Sequence, residues 1–453
     1  MDADLIIIGG GAGGLGAARA ARRRGARVTL VNDGPLGGDC TFYGCVPSKT
    51  LLSASRRGLE FPEAIEEVHR VVAAIAASED KEALRSEGVE VINGRGVFAD
   101  ATSIEVSGED LCSKRFVIAT GARAFVPPIA GLDTVPFVTN ETIFDQKALP
   151  MRLAILGGGP IGVEMAEAFS RLGSHVTIVE AASRLLPREE PDASAVITEF
   201  LETLHVAVRT STACTSVRSS DGGIELELDS GVSIEADQLL VAVGRRPSSS
   251  SMGLDRAGVN VDEKGFIVVD ATLRSSTPHI YAVGDVAQVL QFTHVADETA
   301  RIAVTNALSR LATRRFHTEW VPMVTYTGLE VARVGAVESE APKGSRVAFL
   351  PMTEFDRARM SGEQRGFVKI IVSPRRFTRD LAGGEIVGAT IVAPRAGEMI
   401  QEIVLAMRSR MWPARLAITT SAYPSWSLAV QQTAAQFFGE FAGRRARPAN
   451  SVE

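Results

Sequence analysis

The chain of 453 residues is too long for a single hydrophobic core, so we expect two or three domains. Its formal net charge of −6 at pH 7 argues against a nucleic-acid partner. No apolar run approaches the ~20 residues that span a bilayer, which argues against a membrane partner. Four cysteines are too few for a secreted disulfide scaffold, and the apolar N-terminus runs directly into glycines, which is typical of a first strand. We therefore expect a cytoplasmic protein.

The first structural signal is a glycine motif directly after the N-terminal apolar run. Gly9, Gly11 and Gly14 form G-x-G-x-x-G between a predicted strand and a predicted Ala-rich helix. Such glycines allow a tight turn, a close approach of the backbone to a pyrophosphate, and close packing of helix on strand. The next predicted strand ends in Asn32 and Asp33, where an acidic residue normally holds the ribose. Asn32 can bond a hydroxyl without carrying a charge, so we predict a dinucleotide site with contacts at both residues.

A second copy of this motif lies in the middle of the chain. Gly157, Gly159 and Gly162 again separate a predicted strand from a predicted helix. Two such units predict two bound dinucleotides rather than one. The strand after this helix ends in Glu180, whose carboxylate suits the 2′,3′-diol of NADH and repels the 2′-phosphate of NADPH. Arg184 follows four residues later and keeps NADPH as the alternative.

Residues 37–50 contain two of the four cysteines, Cys40 and Cys45, in a glycine-flanked run. Positions five apart lie about 140° round a straight helix, so a bond between them requires a distorted first turn. Gly44 permits such a turn, and Pro47 suits the start of a helix. A strained disulfide is easily reduced, whereas two free cysteines can simply pack as small apolar residues. The residues alone leave both interpretations open.

The residues around the two cysteines resemble a known family motif, and this resemblance favours the disulfide. Residues 37–49, GGDCTFYGCVPSK, resemble the active-site signature of the pyridine nucleotide–disulfide oxidoreductases, which include lipoamide dehydrogenase, glutathione reductase and mercuric reductase. The resemblance implies a redox-active disulfide in which Cys45 faces the flavin and Cys40 is the interchange thiol that meets the substrate. It also implies that Lys49 pairs with Glu164 beside the flavin.

The same resemblance implies a fold class and a set of cofactor contacts. The fold class is α/β, with two Rossmann-like dinucleotide-binding domains and a C-terminal α+β dimerisation domain. The further cofactor-binding residues implied are Gly38, Thr120, Gly121, Gly284 and Asp285 for FAD, and Gly244 at the end of the NAD domain.

The expected domain bounds follow from the order of these motifs. They are 1–148 with 265–318 for FAD, 149–264 for NAD(P)H, 319–445 for dimerisation, and 446–453 as a tail. Arg444 and Arg445 fall where this polar tail begins, and we expect the tail to be disordered.

The implied activity is an electron transfer from NADH through FAD to the Cys40–Cys45 disulfide, and on to a disulfide or thiol-reactive acceptor. This makes the chain an FAD-dependent pyridine nucleotide–disulfide oxidoreductase with no predicted metal site. Members of the family are homodimers in which the partner subunit completes the active site, so the resemblance implies a homodimer that acts on a small-molecule electron acceptor.

The C-terminal segment departs from the disulfide-reducing members, which carry a His-Pro-Thr segment followed by Glu. Tyr423 stands at the histidine position and Leu428 at the glutamate position, and the last histidine of the chain is His317. A phenol titrates near pH ~10 and is a poor general base at neutral pH. Losing general acid–base help typically costs ~10²–10⁴-fold in rate. Tyr423 is therefore the catalytic candidate at this position as a hydrogen-bond donor.

This substitution makes the chain look more like the mercuric reductase branch, which also lacks the histidine. Mercuric reductases add a C-terminal cysteine pair, however, and residues 437–453 contain no cysteine. The resemblance to mercuric reductases therefore indicates a common ancestor rather than Hg(II) as the substrate of this chain. Two alternative functions stay open: a quinone or small-acceptor reductase that works directly from the flavin, and a non-catalytic redox-sensing flavoprotein. Loss of Cys40 would abolish turnover only under the disulfide hypothesis.

Overall fold

The computed structural model describes residues 3–287, 289–309, 313–377, 380–441 and 443–450. The chain divides into two compact units, each built from segments that are distant in sequence. The first unit comprises Met1–Pro128, Pro136–Leu149 and Leu240–His317, and the second comprises Ile129–Val135, Pro150–Leu239 and Thr318–Glu453.

The helices and strands have the following bounds. The α-helices are α1 Ala12–Arg22, α2 Gly38–Phe42, α3 Cys45–Arg56, α4 Phe61–Ala76, α5 Lys81–Ser86, α6 Pro160–Arg171, α7 Pro191–Thr203, α8 Thr293–Leu308, α9 Asp356–Ser361, α10 Ala396–Arg408, α11 Pro413–Ile418 and α12 Leu428–Ala435. The strands are β1 Leu5–Ile8, β2 Val28–Asn32, β3 Val89–Asn93, β4 Val97–Phe98, β5 Ser103–Val106, β6 Glu109–Cys112, β7 Phe116–Ile118, β8 Ala122–Ala124, β9 Phe137–Val138, β10 Arg152–Leu156, β11 His175–Val179, β12 Ala207–Arg209, β13 Cys214–Ser220, β14 Gly223–Leu228, β15 Ser233–Ala236, β16 Gln238–Val241, β17 Arg245–Pro247, β18 Ile280–Ala282, β19 Pro322–Thr325, β20 Glu330–Gly335, β21 Arg346–Pro351, β22 Phe367–Ser373, β23 Glu385–Ala393 and β24 Arg447–Pro448.

A parallel sheet in the order β18-β7-β1-β2-β3 forms the centre of the first unit. All four residues of β1 are buried, as expected for a parallel strand that is covered on both faces. The buried face of α1 consists of glycine, alanine and one leucine, and α8 packs closely against this helix. Because the strands are parallel, the loops that leave β1, β7 and β18 meet at one edge of the sheet.

A small antiparallel sheet, β4-β5-β6, completes the first unit. One apolar core joins this sheet to β1 and β7, and in it the rings of Phe98 and Phe116 meet edge to face with centroids 5.2 Å apart. The short strands β8 and β17 pair antiparallel with each other. This pairing brings the segment after β7 together with the segment that begins at Arg245.

The second unit repeats the strand–glycine loop–helix arrangement. The strands β10, β11 and β12 pair in parallel, and α6 packs against β11. An antiparallel sheet, β13-β14-β15, follows in sequence. The pattern of a strand, a glycine loop, a helix and a second parallel strand is the one that the sequence predicted for a dinucleotide site.

The C-terminal part of the second unit is an antiparallel sheet in the order β19-β20-β23-β22-β21-β24. Its core includes Phe355, Val368, Ile370, Ile391, Ile400 and Ile403. The helix α10 packs on β20 and β23, and α12 packs on β21 and β22.

The last strand of this sheet corrects the expectation of a disordered tail. Arg447 and Pro448 form β24, which pairs antiparallel with β21. Arg444 donates to both carboxylate oxygens of Glu354, at 2.9 and 2.7 Å. Charged and proline residues made this stretch look like solvated tail, and its partners lie about a hundred residues away, beyond the reach of local sequence patterns.

The observed architecture confirms the predicted fold class of an α/β chain with two dinucleotide-type sheets and a C-terminal α+β part. The finer domain bounds stay a prediction. Across the described part of the chain, no helix is long and apolar enough to cross a membrane.

Candidate redox site and nucleotide loops

The first glycine loop connects β1 to α1. Gly9 has a φ of +105°, and a Cβ on Gly14 would clash with the carbonyl oxygen of Gly9. Gly11 is the N-cap of α1, and the first turn of this helix contains no acidic residue and no side-chain cap among the described residues. The first backbone N–H groups of α1 and the positive end of its dipole therefore suit an anionic group such as a pyrophosphate.

Asn32 supports this loop from the end of β2. Its Oδ1 accepts a hydrogen bond from the Gly10 N–H at 2.8 Å, and its Nδ2 donates to the Gly34 carbonyl at 2.6 Å. Asp33 is exposed next to it. Asn32 thus reaches the glycine loop as expected, and the ribose contacts of both residues stay a prediction.

The second glycine loop connects β10 to α6 in the same way. Gly157 has a φ of +107°, and a Cβ on Gly162 would clash with its carbonyl oxygen. Gly159 is the N-cap of α6, and a Cβ there would meet nothing within 4 Å. The first turn of α6 has no acidic residue. The backbone around Gly159 is therefore open to a ligand while the base of the loop is tightly packed.

Glu180 and Arg184 differ in what they face. The Glu180 carboxylate accepts from the Gly158 N–H at 2.6 Å and from the Ala182 N–H at 2.7 Å, so it lies against the glycine loop. Arg184 donates to the carbonyl of Pro187 at 2.8 Å, within its own segment. The acidic group at the strand end is therefore held at the loop, and the arginine is engaged with nearby backbone.

The two cysteines lie on either side of a break between helices. α2 ends at Phe42 and α3 begins at Cys45, with Gly44 between them at φ −121° and ψ −114°. A Cβ on Gly44 would lie 2.9 Å from the carbonyl oxygen of Asp39, so only glycine lets the chain fold back this closely on α2. Pro47 is the third residue of α3 rather than its first. The break supplies the distorted turn that the five-residue spacing requires.

The fold brings the sulfurs of Cys40 and Cys45 into interaction. A hydrogen bond with Cys45 is the largest effect that raises the pKa of the Cys40 thiol, and burial is the next. Cys40 is half-buried, whereas Cys45 is exposed at the start of α3, where the helix dipole favours negative charge. The Cys45 sulfur also lies 3.5 Å from the hydroxyl of Thr293, the first residue of α8.

Two charged residues beside the cysteines were not identified from the sequence. Arg245 donates to the Asp39 carboxylate at 3.1 Å, and its Nε lies 3.4 Å from the carboxylate of Asp285. Burial raises the pKa of Asp285, and the charge of Arg245 opposes this effect. Asp39 directly precedes Cys40 and Arg245 directly follows Gly244, so each was adjacent to a motif. No local signal relates the two, because they are 206 residues apart.

The remaining predicted FAD residues gather at the carboxyl edge of the parallel sheet. Thr120 and Gly121 follow β7, and Gly284 and Asp285 follow the adjacent strand β18. Gly38 packs its Cα against the first glycine loop, since a Cβ there would lie 2.7 Å from the Cα of Gly11.

Gly121 and Gly284, together with Gly244 from the predicted end of the NAD domain, have backbone conformations that favour glycine. Gly121 has a φ of +69°, Gly284 of +66° and Gly244 of +139°. A Cβ on Gly121 or Gly244 would meet nothing within 4 Å, which leaves open space beside both. The structure therefore brings the predicted residues of the first unit to one edge, and their contacts with a cofactor stay a prediction.

Lys49, Glu164 and Tyr423 lie in three different segments of the chain. Lys49 lies on α3 in the first unit, and Glu164 lies on α6 in the second unit. Glu164 is buried and accepts a hydrogen bond from the Tyr326 N–H at 2.8 Å. Tyr423 is 64% exposed, and its hydroxyl lies 3.5 Å from the carboxylate of Asp356. The Lys49–Glu164 pair and the catalytic role of Tyr423 stay predictions.

Several features of the first unit suit the binding of an anionic dinucleotide. The glycine loop presents uncapped N–H groups, and the close approach of Gly38 to Gly11 leaves no room for side chains there. The Nε of Arg245 makes no well-aligned hydrogen bond among the described residues, but it lies 3.4 Å from the Asp285 carboxylate, so this edge carries a buried positive charge. Gly9, Gly11, Gly14 and Asp285 would hold FAD at this edge.

Comparisons with known proteins identify the family of the chain. Residues 3–300 match the family described as pyridine nucleotide-disulphide oxidoreductase, and residues 321–434 match the dimerisation domain of that family. A mercuric reductase of Streptomyces lividans is 34% identical, covering 97% of each chain. A dihydrolipoyl dehydrogenase of Thermus scotoductus is 32% identical, covering 95% of this chain and 96% of its own.

A solved structure is similar over the same length. It is the HOCl-induced flavoprotein disulfide reductase RclA from Escherichia coli, with a TM-score of 0.87 and 30% identity, covering 95% of this chain and 99% of its own. The same Escherichia coli protein has also been solved as a Cu(II) complex.

Proposed function

Because the chain belongs to the pyridine nucleotide-disulphide oxidoreductase family, we propose that it passes electrons from NADH through FAD to a Cys40–Cys45 disulfide, and from there to a disulfide or thiol-reactive acceptor. Members of this family use FAD and NAD(P)H, which confirms the predicted cofactors. The relatives are oxidoreductases, which confirms the predicted enzyme class.

The observation that carries the proposal is the position of the two sulfurs across the helix break. Two cysteines that merely filled a core would both be buried, whereas Cys45 is exposed and Cys40 half-buried. Cys45 begins a helix, where a thiolate is favoured, and its sulfur interacts with that of Cys40. This arrangement supports a dithiol that forms and breaks a disulfide during turnover.

The reaction then divides into two thiol steps. Bound FAD would supply the two-electron link between NADH and the disulfide. The Cys40 thiolate attacks one sulfur of a disulfide acceptor and releases one thiolate of the acceptor. The Cys45 thiolate then attacks the Cys40 sulfur, which re-forms the internal disulfide and releases the second thiolate. NADH, one proton and one disulfide thus give NAD⁺ and two thiols.

The second glycine loop supports NADH as the donor. The carboxylate of Glu180 lies against the second glycine loop, where a 2′-phosphate would meet its negative charge. Arg184 donates to backbone carbonyls of its own segment, which reduces its ability to pair with that phosphate. Comparison of the KM for NADH with the KM for NADPH tests this choice, and a lower KM for NADPH would contradict it.

We also infer a homodimer. The chain matches the family's dimerisation domain, and its C-terminal part exposes large apolar side chains, namely Phe377, Leu405, Ile418 and Phe438, at 86, 61, 79 and 49% exposure. Burial of these side chains in a dimer interface would remove their apolar surface from water. Tyr423 of the partner subunit is the proposed hydrogen-bond donor for the departing thiolate. Sedimentation should find a dimer, and a monomer at micromolar concentration would contradict the inference.

The test compares NADH oxidation by the wild type, Cys40→Ser and Cys112→Ser in parallel. Cys112 is exposed at the end of β6 and is the matched cysteine control. The acceptors should include low-molecular-weight disulfides, Hg(II), Cu(II) and quinones, with Cu(II) added because of the Escherichia coli complex. Cys40→Ser should lose at least ~10²-fold in rate on a disulfide or metal acceptor, and Cys112→Ser should retain the wild-type rate.

A second candidate function follows from Tyr423. The imidazole that assists thiol exchange in disulfide-reducing members has no counterpart at this position, and the phenol there is exposed. A flavin reductase of quinones or other small acceptors needs no such base. If Cys40→Ser reduces quinones as fast as the wild type and no disulfide or metal is reduced, this alternative is correct and the cysteine route is wrong.

A further inference from the structure

Asp39 lies beside the turn between the two helices that carry the cysteines. It lies on α2 directly before Cys40, and its backbone carbonyl accepts from the Tyr43 N–H at 2.8 Å. Its Oδ1 accepts from the Nδ2 of Asn140 at 3.1 Å, and the same amide nitrogen lies 3.2 Å from the Tyr43 carbonyl. One residue therefore holds the turn between the cysteines, and a buried asparagine holds that residue.

The second carboxylate oxygen of Asp39 is bound by Arg245. The guanidinium is 13% exposed, and it also donates to the Ala122 carbonyl at 2.7 Å. Burial acts to lower the pKa of Arg245, but the negative charges of Asp39 and Asp285 outweigh it, so the arginine stays charged. A buried cation thus lies between two carboxylates that are distant in sequence.

The Arg245 side chain of this ion pair is 13% exposed and the Asp39 side chain is 34% exposed, so the pair is only partly open to water. Fully exposed pairs contribute little because water screens them, whereas removing one partner of a partly buried pair leaves the other charge less well compensated. The uncompensated group in this case would be Asp39, one residue from the thiol that meets the substrate. Its negative charge is one of the effects that raise the pKa of Cys40.

We propose that Arg245 is a positioning residue that acts through Asp39: it holds the Asp39 carboxylate and neutralises it, which allows Cys40 to react as a thiolate. The inference rests on the proposed role of Cys40 as the interchange thiol. It differs from a role of Arg245 in holding FAD, because it predicts an effect on Cys40 that depends on the charge at position 39.

Several charged groups surround Cys40 and Arg245, and the experiment has to separate them. Cys45 and Asp39 act on Cys40. Asp39, Asp285 and Glu141 act on Arg245. Replacing Cys45 by alanine removes the largest of these effects and leaves Cys40 as the only thiol of the pair.

The test measures the rate at which iodoacetamide alkylates Cys40 in the full-length Cys45→Ala protein between pH 7 and 10. Peptide mass spectrometry separates Cys40 from Cys112 and Cys214. In this background Arg245→Gln should slow alkylation about tenfold at pH 8, since an unpaired carboxylate disfavours the thiolate by about one pKa unit. Asp39→Asn should accelerate it several-fold, and the double variant should return to within about threefold of the parent.

Opposite signs in the single variants and cancellation in the double variant are the result expected from charge. If the role of Arg245 were purely structural, the alkylation rate of Cys40 would change in the same direction in both single variants. It would depart from the parent rate even further in the double variant, and that result would overturn the proposal. FAD content, measured by absorbance, shows whether a variant also loses the cofactor. If Arg245→Gln does not fold, Arg245→Lys replaces it, and Cys40 in that variant should be alkylated at a rate within about threefold of the parent. An unchanged alkylation rate in Asp39→Asn would still refute the proposal.

These outcomes are separate from those of the proposed function. Alkylation reports the reactivity of Cys40 without any acceptor or turnover. If the charge pair behaves as expected while Cys40→Ser still turns over normally, the positioning role stands and the cysteine route fails. If turnover depends on Cys40 but the alkylation rate is the same in the Arg245 and Asp39 variants as in the parent, the proposed function stands and the role of Arg245 fails.

Discussion

Replacing Glu338 by glutamine should weaken the second unit in a way that depends on pH. The Glu338 carboxylate lies 3.1 Å from the Nζ of Lys369, and Arg447 of the last strand donates to it at 3.1 Å. Lys369 is only 2% exposed, and its other carboxylate neighbours are Glu190 at 3.3 Å and Asp192 at 2.8 Å. The cluster therefore ties the end of the chain to the centre of the C-terminal sheet.

The magnitude follows from the pKa of Glu338. Burial acts to raise this pKa, but hydrogen bonds from Arg447, Lys369 and a backbone N–H outweigh burial and lower the pKa from 4.5 to about 2. Each pKa unit is worth ~1.4 kcal/mol, so the full shift would correspond to about 3 kcal/mol. Because Glu338 is partly exposed and solvent screens the pair, we expect about 2 kcal/mol in the free energy of unfolding.

The sign of the pH dependence follows from the lowered pKa. The folded protein holds Glu338 ionised more strongly than the unfolded chain does, so this stabilisation is complete above pH ~5. It is lost as the pH falls from about 4.5 towards about 2, where both states become protonated. Glu338→Gln should therefore be less stable than the wild type at pH 7, and the difference should shrink as the pH falls.

The assay can follow the second unit by itself. All three tryptophans, Trp320, Trp412 and Trp426, lie in this unit, so their fluorescence in urea reports its unfolding. The matched control is Glu340→Gln, which removes a charge from an exposed position of the same 3₁₀ turn. A constant difference between wild type and Glu338→Gln from pH 7 to pH 3, or an equal effect of Glu340→Gln, would refute the reasoning.

Two further predictions concern the second glycine loop and the free cysteines. Gly162→Ala should lower the melting temperature of the second unit, because the added Cβ would clash with the Gly157 carbonyl. Gly159→Ala should leave that temperature nearly unchanged, because its Cβ would enter open space, and should raise the KM for NADH, because that space is where the dinucleotide would bind. Equal effects of the two variants on both readouts would contradict this. Burial raises the pKa of Cys214 to about 11, so iodoacetamide should alkylate it far more slowly at pH 8 than the exposed Cys112, and equal rates by peptide mass spectrometry would contradict this.

The sequence determined the local structure of both nucleotide loops. Gly9 and Gly157 adopt positive φ angles that favour glycine, and Gly14 and Gly162 pack where any Cβ would clash. The positive φ angles and the close contacts involve residues at most five positions apart, so a short sequence motif is enough to predict them. The break between α2 and α3 belongs to the same class, because Gly44 and the spacing of the cysteines are both local.

The tertiary structure alone decided which charges meet. Asp39 and Arg245 are 206 residues apart, and Lys369 and Glu190 are 179 apart. Whether a carboxylate is solvated or neutralised depends on the residue that the fold places against it, and strand order sets this over hundreds of residues. The sequence therefore determined the loops and the cysteine turn, while the fold decided the electrostatic surroundings of Cys40, because packing between distant segments selects the partner of each buried charge.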